Sequence, residues 1–207
     1  MIVFNNPEEA IQYYLINYGI PYGADLERKG KLLNSAMTDM SKSIILIYGP
    51  HQKRLKKTLK EYLVKKLEKS RPWRETYFNF EEIYYNIKKE LTGFNGIVTL
   101  YDISLLVGAA TKNLPEKYVY ITSGKVKNNA KLILGISGKI DFRILKTSFP
   151  VWTQRLTAWQ IEDFLCHVEI ILSSTGYEFI FNEKGFKEWY FFPETVLKEI
   201  EVLQNRE

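Results

Sequence analysis

Cysteine occurs once in this 207-residue chain, at Cys166, and histidine only twice, at His51 and His167. One cysteine excludes an internal disulfide and fits a reducing compartment. No pair among these three residues has metal-ligand spacing, so the sequence predicts neither a metal site nor a cofactor. Cys166 and His167 are neighbours, and neighbours on a helix point about 100° apart. They cannot form a thiolate–imidazole pair with each other, and Cys166 reads as a core thiol. No apolar run approaches the length of a membrane span. The stretch Met1–Glu9 has neither a basic region nor a long apolar run, which predicts no signal peptide and a cytoplasmic protein. Internal repeats, low-complexity tracts and linker-like segments are also missing, so the reading is a single domain over 1–207.

What is present is aromatic and unevenly charged. Fourteen Tyr, twelve Phe and four Trp supply large apolar areas for a core. The chain carries +5 overall, yet residues 51–71 hold nine basic side chains against Glu61 and Glu68, a net of +7, leaving −2 for everything else. Within that stretch Leu55, Leu59, Tyr62, Leu63 and Leu67 recur at helical spacing, which predicts an amphipathic helix with an apolar stripe and a lysine-rich outer face. A polyanion is the simplest partner for such a face, because each phosphate neutralised releases a condensed counterion. An acidic protein or an anionic lipid surface would meet the same charges.

Taken in order, the chain reads as mainly helical with a few short strands, an α+β class. Asn6, Pro7, Glu8 and Glu9 predict a capped helix start, with a stop at Gly19 and a loop over 21–23. A second helix is expected over 25–41, weakened by Gly30. Residues 43–48 read as a short buried strand or a helix end. Asn79 and Glu82 predict a capping box for a helix whose inner face is Phe80, Ile83, Tyr84, Ile87 and Leu91. The helix from about Leu100 to Lys112, with Thr99 and Asp102 as its capping pair, is apolar nearly all round and so should be central. Its Gly108, Ala109 and Ala110 would let another element approach closely. Residues 118–121 read as a short strand, residues 122–134 as a glycine turn and helix, and residues 139–145 as extended. Thr157 and Gln160 predict a capping box opening a helix over 159–173, in which Glu162 and Asp163 favour the helix start. A C-terminal β-hairpin over 178–192 and a last helix carrying Val196, Leu197, Ile200 and Leu203 complete the pattern.

Chemistry in the sequence is sparse. A turn at Gly49 leading into a basic helix has the order of a phosphate-binding loop, but the glycine spacing and the Lys-Ser/Thr pair are missing, so no nucleoside triphosphate site is expected. Of the acidic candidates near glycine turns or helix starts, Asp102, Asp141, Glu162 and Asp163, only Asp141 has no capping or dipole role. Over residues 121–134, Gly124 and Ala130 resemble the glycine turn and following alanine of the helix-hairpin-helix motif, with Val126 where that family has a second glycine. The resemblance implies DNA-phosphate binding by the turn, with Lys125 and Lys127 adding contacts. In the DNA glycosylases that carry this motif an aspartate follows in an Ile/Val-Asp setting, and Ile140–Asp141 is similar. This makes Asp141 a candidate catalytic acid acting on an extruded base. A longer pattern beginning at Tyr101 and running through Leu114 to Cys166 resembles a group of uncharacterised bacterial proteins and implies a shared fold without an activity. The functional expectation is therefore a nucleic-acid-binding domain that meets phosphates through Lys53, Arg54, Lys56, Lys57 and Lys60. The alternatives are a small glycosylase-type enzyme and a non-catalytic interaction protein.

Overall fold

The computed structural model describes residues 1–47 and 55–182. In chain order the elements are β1 (Ile2–Phe4), α1 (Pro7–Tyr14), a π-helical turn (Leu15–Gly19), α2 (Ile20–Leu33), α3 (Asp39–Ile47), α4 (Lys57–Ser70), α5 (Phe80–Glu90), α6 (Ile97–Thr111), β2 (Tyr118–Tyr120), α7 (Gly124–Leu134), β3 (Arg143–Leu145), α8 (Ala158–His167), β4 (Val168–Ser173) and β5 (Gly176–Phe181). The class is mainly α with short strands, as the residue pattern predicts. Packing divides the chain into two units, one from residues 1–24 and 115–182 and the other from residues 25–47 and 55–114, among those described. The first unit is assembled from both ends of this span and closes around the second in sequence, so no linker composition marks the division.

In the first unit β1, β5 and β4 form an antiparallel sheet in that order. Phe181 sits opposite Ile2 on one side and Val168 on the other. The rings of Tyr14, Tyr18, Phe164, Phe179 and Phe181 are all buried beneath it. Tyr13 and Phe181 lie 5.0 Å apart between centroids, and Tyr14 meets Phe164 edge-on at 5.4 Å. Such pairs each add about 0.5–1.5 kcal/mol beyond area burial. Asn6 caps α1 by accepting from the Glu8 amide, as predicted. The predicted stop at Gly19 is instead a π-helical turn that feeds directly into α2. A Cβ on Gly19 would lie 2.9 Å from the buried Tyr14 ring, so glycine serves packing there rather than termination. Pro21 falls in the first turn of α2, a position that tolerates it. The helix read over 159–173 ends at His167, and residues 168–173 form β4. The i, i+3, i+4 spacing of Val168, Ile171 and Leu172 fits a helix, but the β-branched run pairs with β5. The hairpin is therefore β4–β5. The second arm of the one predicted over 178–192 lies outside the described residues, as does the predicted last helix.

The second unit is built around α6, which is buried on nearly every side, from Thr99 and Leu100 to Gly108 and Ala110. Its first turn begins at Ile97, so Thr99 and Asp102 lie inside the helix and do not cap it. Asn79 does cap α5, accepting from the Glu82 amide at 3.0 Å, and Phe80, Ile83, Tyr84, Ile87 and Leu91 are all buried. The helix expected over 25–41 is two helices, α2 and α3, and residues 43–47 are the end of α3. Gly30 does not weaken α2. It lets α2 touch the small-residue end of α6, where a Cβ on Gly30 would come within 2.8 Å of the Ala109 carbonyl carbon. Asn34 Nδ2 donates to the Ala110 carbonyl at 2.7 Å beside this contact. Gly30→Ala gains up to about 1 kcal/mol of helix propensity but must push backbone from backbone, which costs about 1–3 kcal/mol. We expect a net loss of up to about 2 kcal/mol in urea unfolding. A gain would mean that the two helices separate at little cost.

Candidate nucleic-acid interface

The basic helix predicted from the sequence is α4, Lys57–Ser70. Leu63 and Leu67 are fully buried and fasten it to its unit, while Leu55 and Leu59 are half-buried. Tyr62, placed in the apolar stripe by its spacing, is 39% exposed, and its hydroxyl donates to the Thr92 carbonyl at 3.4 Å. That bond ties the middle of α4 to the end of α5, whose last turn carries the exposed Lys88 and Lys89. Arg71 adopts the left-handed conformation at φ 50° and ends the helix, its amide donating to the Leu67 carbonyl.

At 100° per residue Tyr62, Lys65 and Lys69 fall on the side away from Leu63 and Leu67, with Lys66 on the flank beside Tyr62. Lys56, Lys65, Lys66 and Lys69 are exposed, and no carboxylate among the described residues lies within 4.0 Å of any of them. The Lys66 ammonium stands 5.8 Å from the Tyr62 ring centroid. Among the described residues Lys57 has a single loose ion-pair partner, Glu61 at 4.0 Å. The charge is trimmed at the C-terminal end, where Asp39 forms an ion pair with Arg71 at 3.1 Å and accepts from Arg74 at 2.7 Å. On the flank turned toward α3, Glu61 and Glu68 join Lys57, Lys60 and Lys65 along an apolar cleft. Positive charge is therefore purest on the flank away from α3, which carries Tyr62, Lys66 and Lys69.

The other predicted site residues separate. Lys53, Arg54 and His51 lie outside the described residues. Lys56, Lys57 and Lys60 are on or just before α4, as expected. Lys125 and Lys127 belong to α7, in the other unit. Gly124 is the first residue of that helix, and Ser123 caps it by accepting from the Val126 amide at 3.2 Å. Lys125 donates to the His167 carbonyl at 3.2 Å and so closes the end of α8. Burial holds its ammonium below the ordinary lysine range, partly offset by Cys166 and Glu169. Lys127 is exposed. Asp141 is exposed on the loop before β3, at a cleft it shares with Tyr118, Lys139, Arg143 and Ser148. The Arg143 guanidinium lies 5.1 Å from the Tyr118 ring centroid there.

Residues assigned to a helix start by sequence form a buried polar cluster instead. Glu162 and Asp163 sit in the middle of α8 and are 8% and 6% exposed, while the capping is done by Thr157 and Gln160 as predicted. Tyr14 donates to Asp163 Oδ2 at 2.7 Å, His167 Nδ1 lies 3.3 Å from Asp163 Oδ1, and Thr122 donates to Glu162. Burial opposes a charge on His167. The Asp163 carboxylate, with its side-chain and backbone hydrogen bonds, outweighs that and raises the imidazole above its ordinary value, against a smaller opposing effect of Lys125. No protein-family model matches the chain, nor does any curated protein or solved structure.

Proposed function

We propose that the protein binds nucleic acid through the outward face of α4. The observation that carries this reading is the row of exposed lysines, Lys56, Lys65, Lys66 and Lys69, with no carboxylate among the described residues near enough to neutralise them, on a helix pinned by Leu63 and Leu67. Successive phosphates along a strand can be met by ammonium groups on long flexible stems, each adding a counterion-release contribution. Tyr62, half exposed beside Lys66, offers a ring on which a base or sugar can rest. Lys88 and Lys89 would extend the positive surface past the end of α5.

Fluorescence anisotropy with a labelled 20-base-pair duplex and a single strand of equal length, at low salt, tests the reading. Binding is expected for the wild type and a loss of about tenfold or more for Lys65→Ala/Lys66→Ala/Lys69→Ala. Lys31→Ala serves as a control, since Lys31 is exposed but paired with Glu27 at 2.7 Å. Absence of binding at low salt, or equal loss in the control, would remove the proposal.

A further inference from the structure

The cleft between α3 and α4 lies beside the outward face and shares Lys57, Lys60 and Lys65 with the proposed phosphate contacts, but its apolar lining has no part in meeting phosphate. It has a volume of about 420 Å³, and Met40, Ile44, Ile47, Leu55 and Val64 supply its apolar lining. That volume lies within the ~300–1,000 Å³ typical of small-ligand sites, which are mostly apolar with a few placed polar groups. The cleft also has polarity along its length. The Asp39–Arg71 ion pair sets α3 antiparallel to α4, so Ile47 and Leu55 share one end with Lys57, and Met40 shares the other with Glu68. Lys57 and Lys60 line the first end, where α4 begins. Its cap residue Lys56 offers no side-chain acceptor, so the first-turn amides and the positive end of the helix dipole add to the ammonium groups. Among the described residues Glu61 is the one carboxylate lining that end, and it stands 4.0 Å from Lys57. Glu68 stands at the far end, where an apolar tail terminus would lie.

We infer that this cleft binds a monomeric long-chain carboxylate. Its head would lie at the start of α4 near Lys57, and its tail along Ile47, Ile44, Val64 and Met40. Charge complementarity at one end selects an acid over a neutral chain, and the apolar lining selects a chain over a small anion. A third lysine, Lys65, borders the cleft midway and has no carboxylate among the described residues within 4.0 Å.

The test uses the full chain and anilinonaphthalene sulfonate, an apolar anion whose fluorescence rises on binding. Dodecanoate, kept well below its micelle range, should displace the probe, with dodecanol about tenfold weaker, the worth of one charge-assisted contact. Lys57→Ala/Lys65→Ala should bring dodecanoate down to the level of dodecanol and leave dodecanol unchanged. Val64→Gln should weaken both. Thermal unfolding must keep a single transition in each variant and in the presence of dodecanoate. If Val64→Gln loses that transition, the lysine pair decides the matter, because both its members are surface residues. Three results would overturn the inference: no displacement by dodecanoate, displacement only with loss of the folded transition, or equal weakening of acid and alcohol in the lysine variant.

Discussion

Asp163→Ala should destabilise the protein by about 3–5 kcal/mol, the cost of removing one partner from a buried ionic pair. The carboxylate is the hub of its cluster, accepting from the Tyr14 hydroxyl at 2.7 Å and facing His167 Nδ1 at 3.3 Å, with the Tyr18 ring 4.7 Å from the imidazole. Its removal leaves two polar groups inside an aromatic core. Tyr14→Phe removes one donor to a buried charge and should cost about 1.5–3 kcal/mol. The pH dependence follows from His167. Its folded value is raised, so the stability it contributes is fully present below the ordinary histidine value of 6.5 and is lost as pH rises through the folded value. The groups facing the imidazole among the described residues are Asp163 on α8, Tyr18 in the π-helical turn and Lys125 on α7, and of these Lys125 opposes protonation. Urea unfolding of wild type and His167→Gln from pH 5.5 to pH 9 should therefore converge as pH rises. Curves that stay parallel would show that the imidazole does not draw stability from its charge.

This cluster also marks where the sequence stops being legible. Helix starts are local events, and Asn6, Asn79 and the Thr157–Gln160 box act as their spacing predicts. The inner face of α5 is likewise visible, since five apolar residues at helical spacing have one way to be buried together. Glu162 and Asp163 were open to misreading because their partners, Thr122 and Tyr14, are 40 and 149 residues away. Nothing adjacent to a buried carboxylate announces the hydroxyl that satisfies it. The same limit explains Lys125. Next to a glycine it looks like a phosphate contact, but a distant carbonyl at the end of α8 claims it. Gly30 failed as punctuation for a related reason, answering to the backbone of Ala109 on α6, while Gly19 makes room for the Tyr14 ring of the preceding turn. By contrast, α4 shows its character in sequence because both of its determinants, the leucine pair and the lysine row, are repeats within one helix.

Salt should act on nucleic-acid binding more strongly than any single substitution. If four to six of Lys56, Lys57, Lys60, Lys65, Lys66 and Lys69 each neutralise one phosphate, log K should fall against log salt with a slope of about −3.6 to −5.4 on a duplex. Raising salt from 50 to 200 mM then weakens binding by roughly 10²- to 10³-fold. The slope reports how many charges are engaged, which affinity alone does not. Lys65→Ala/Lys66→Ala/Lys69→Ala should lower its magnitude by about 2.7, whereas Lys125→Ala should leave it unchanged, because that ammonium is committed to the His167 carbonyl. A full slope in the triple variant would move the contacts off the outward face of α4. A reduced slope in Lys125→Ala would instead make α7 part of the surface that meets phosphate, with its hydrogen bond to α8 given up on binding. Reading the two slopes together therefore assigns the phosphate contacts to one helix or to both, whatever the nucleic-acid sequence.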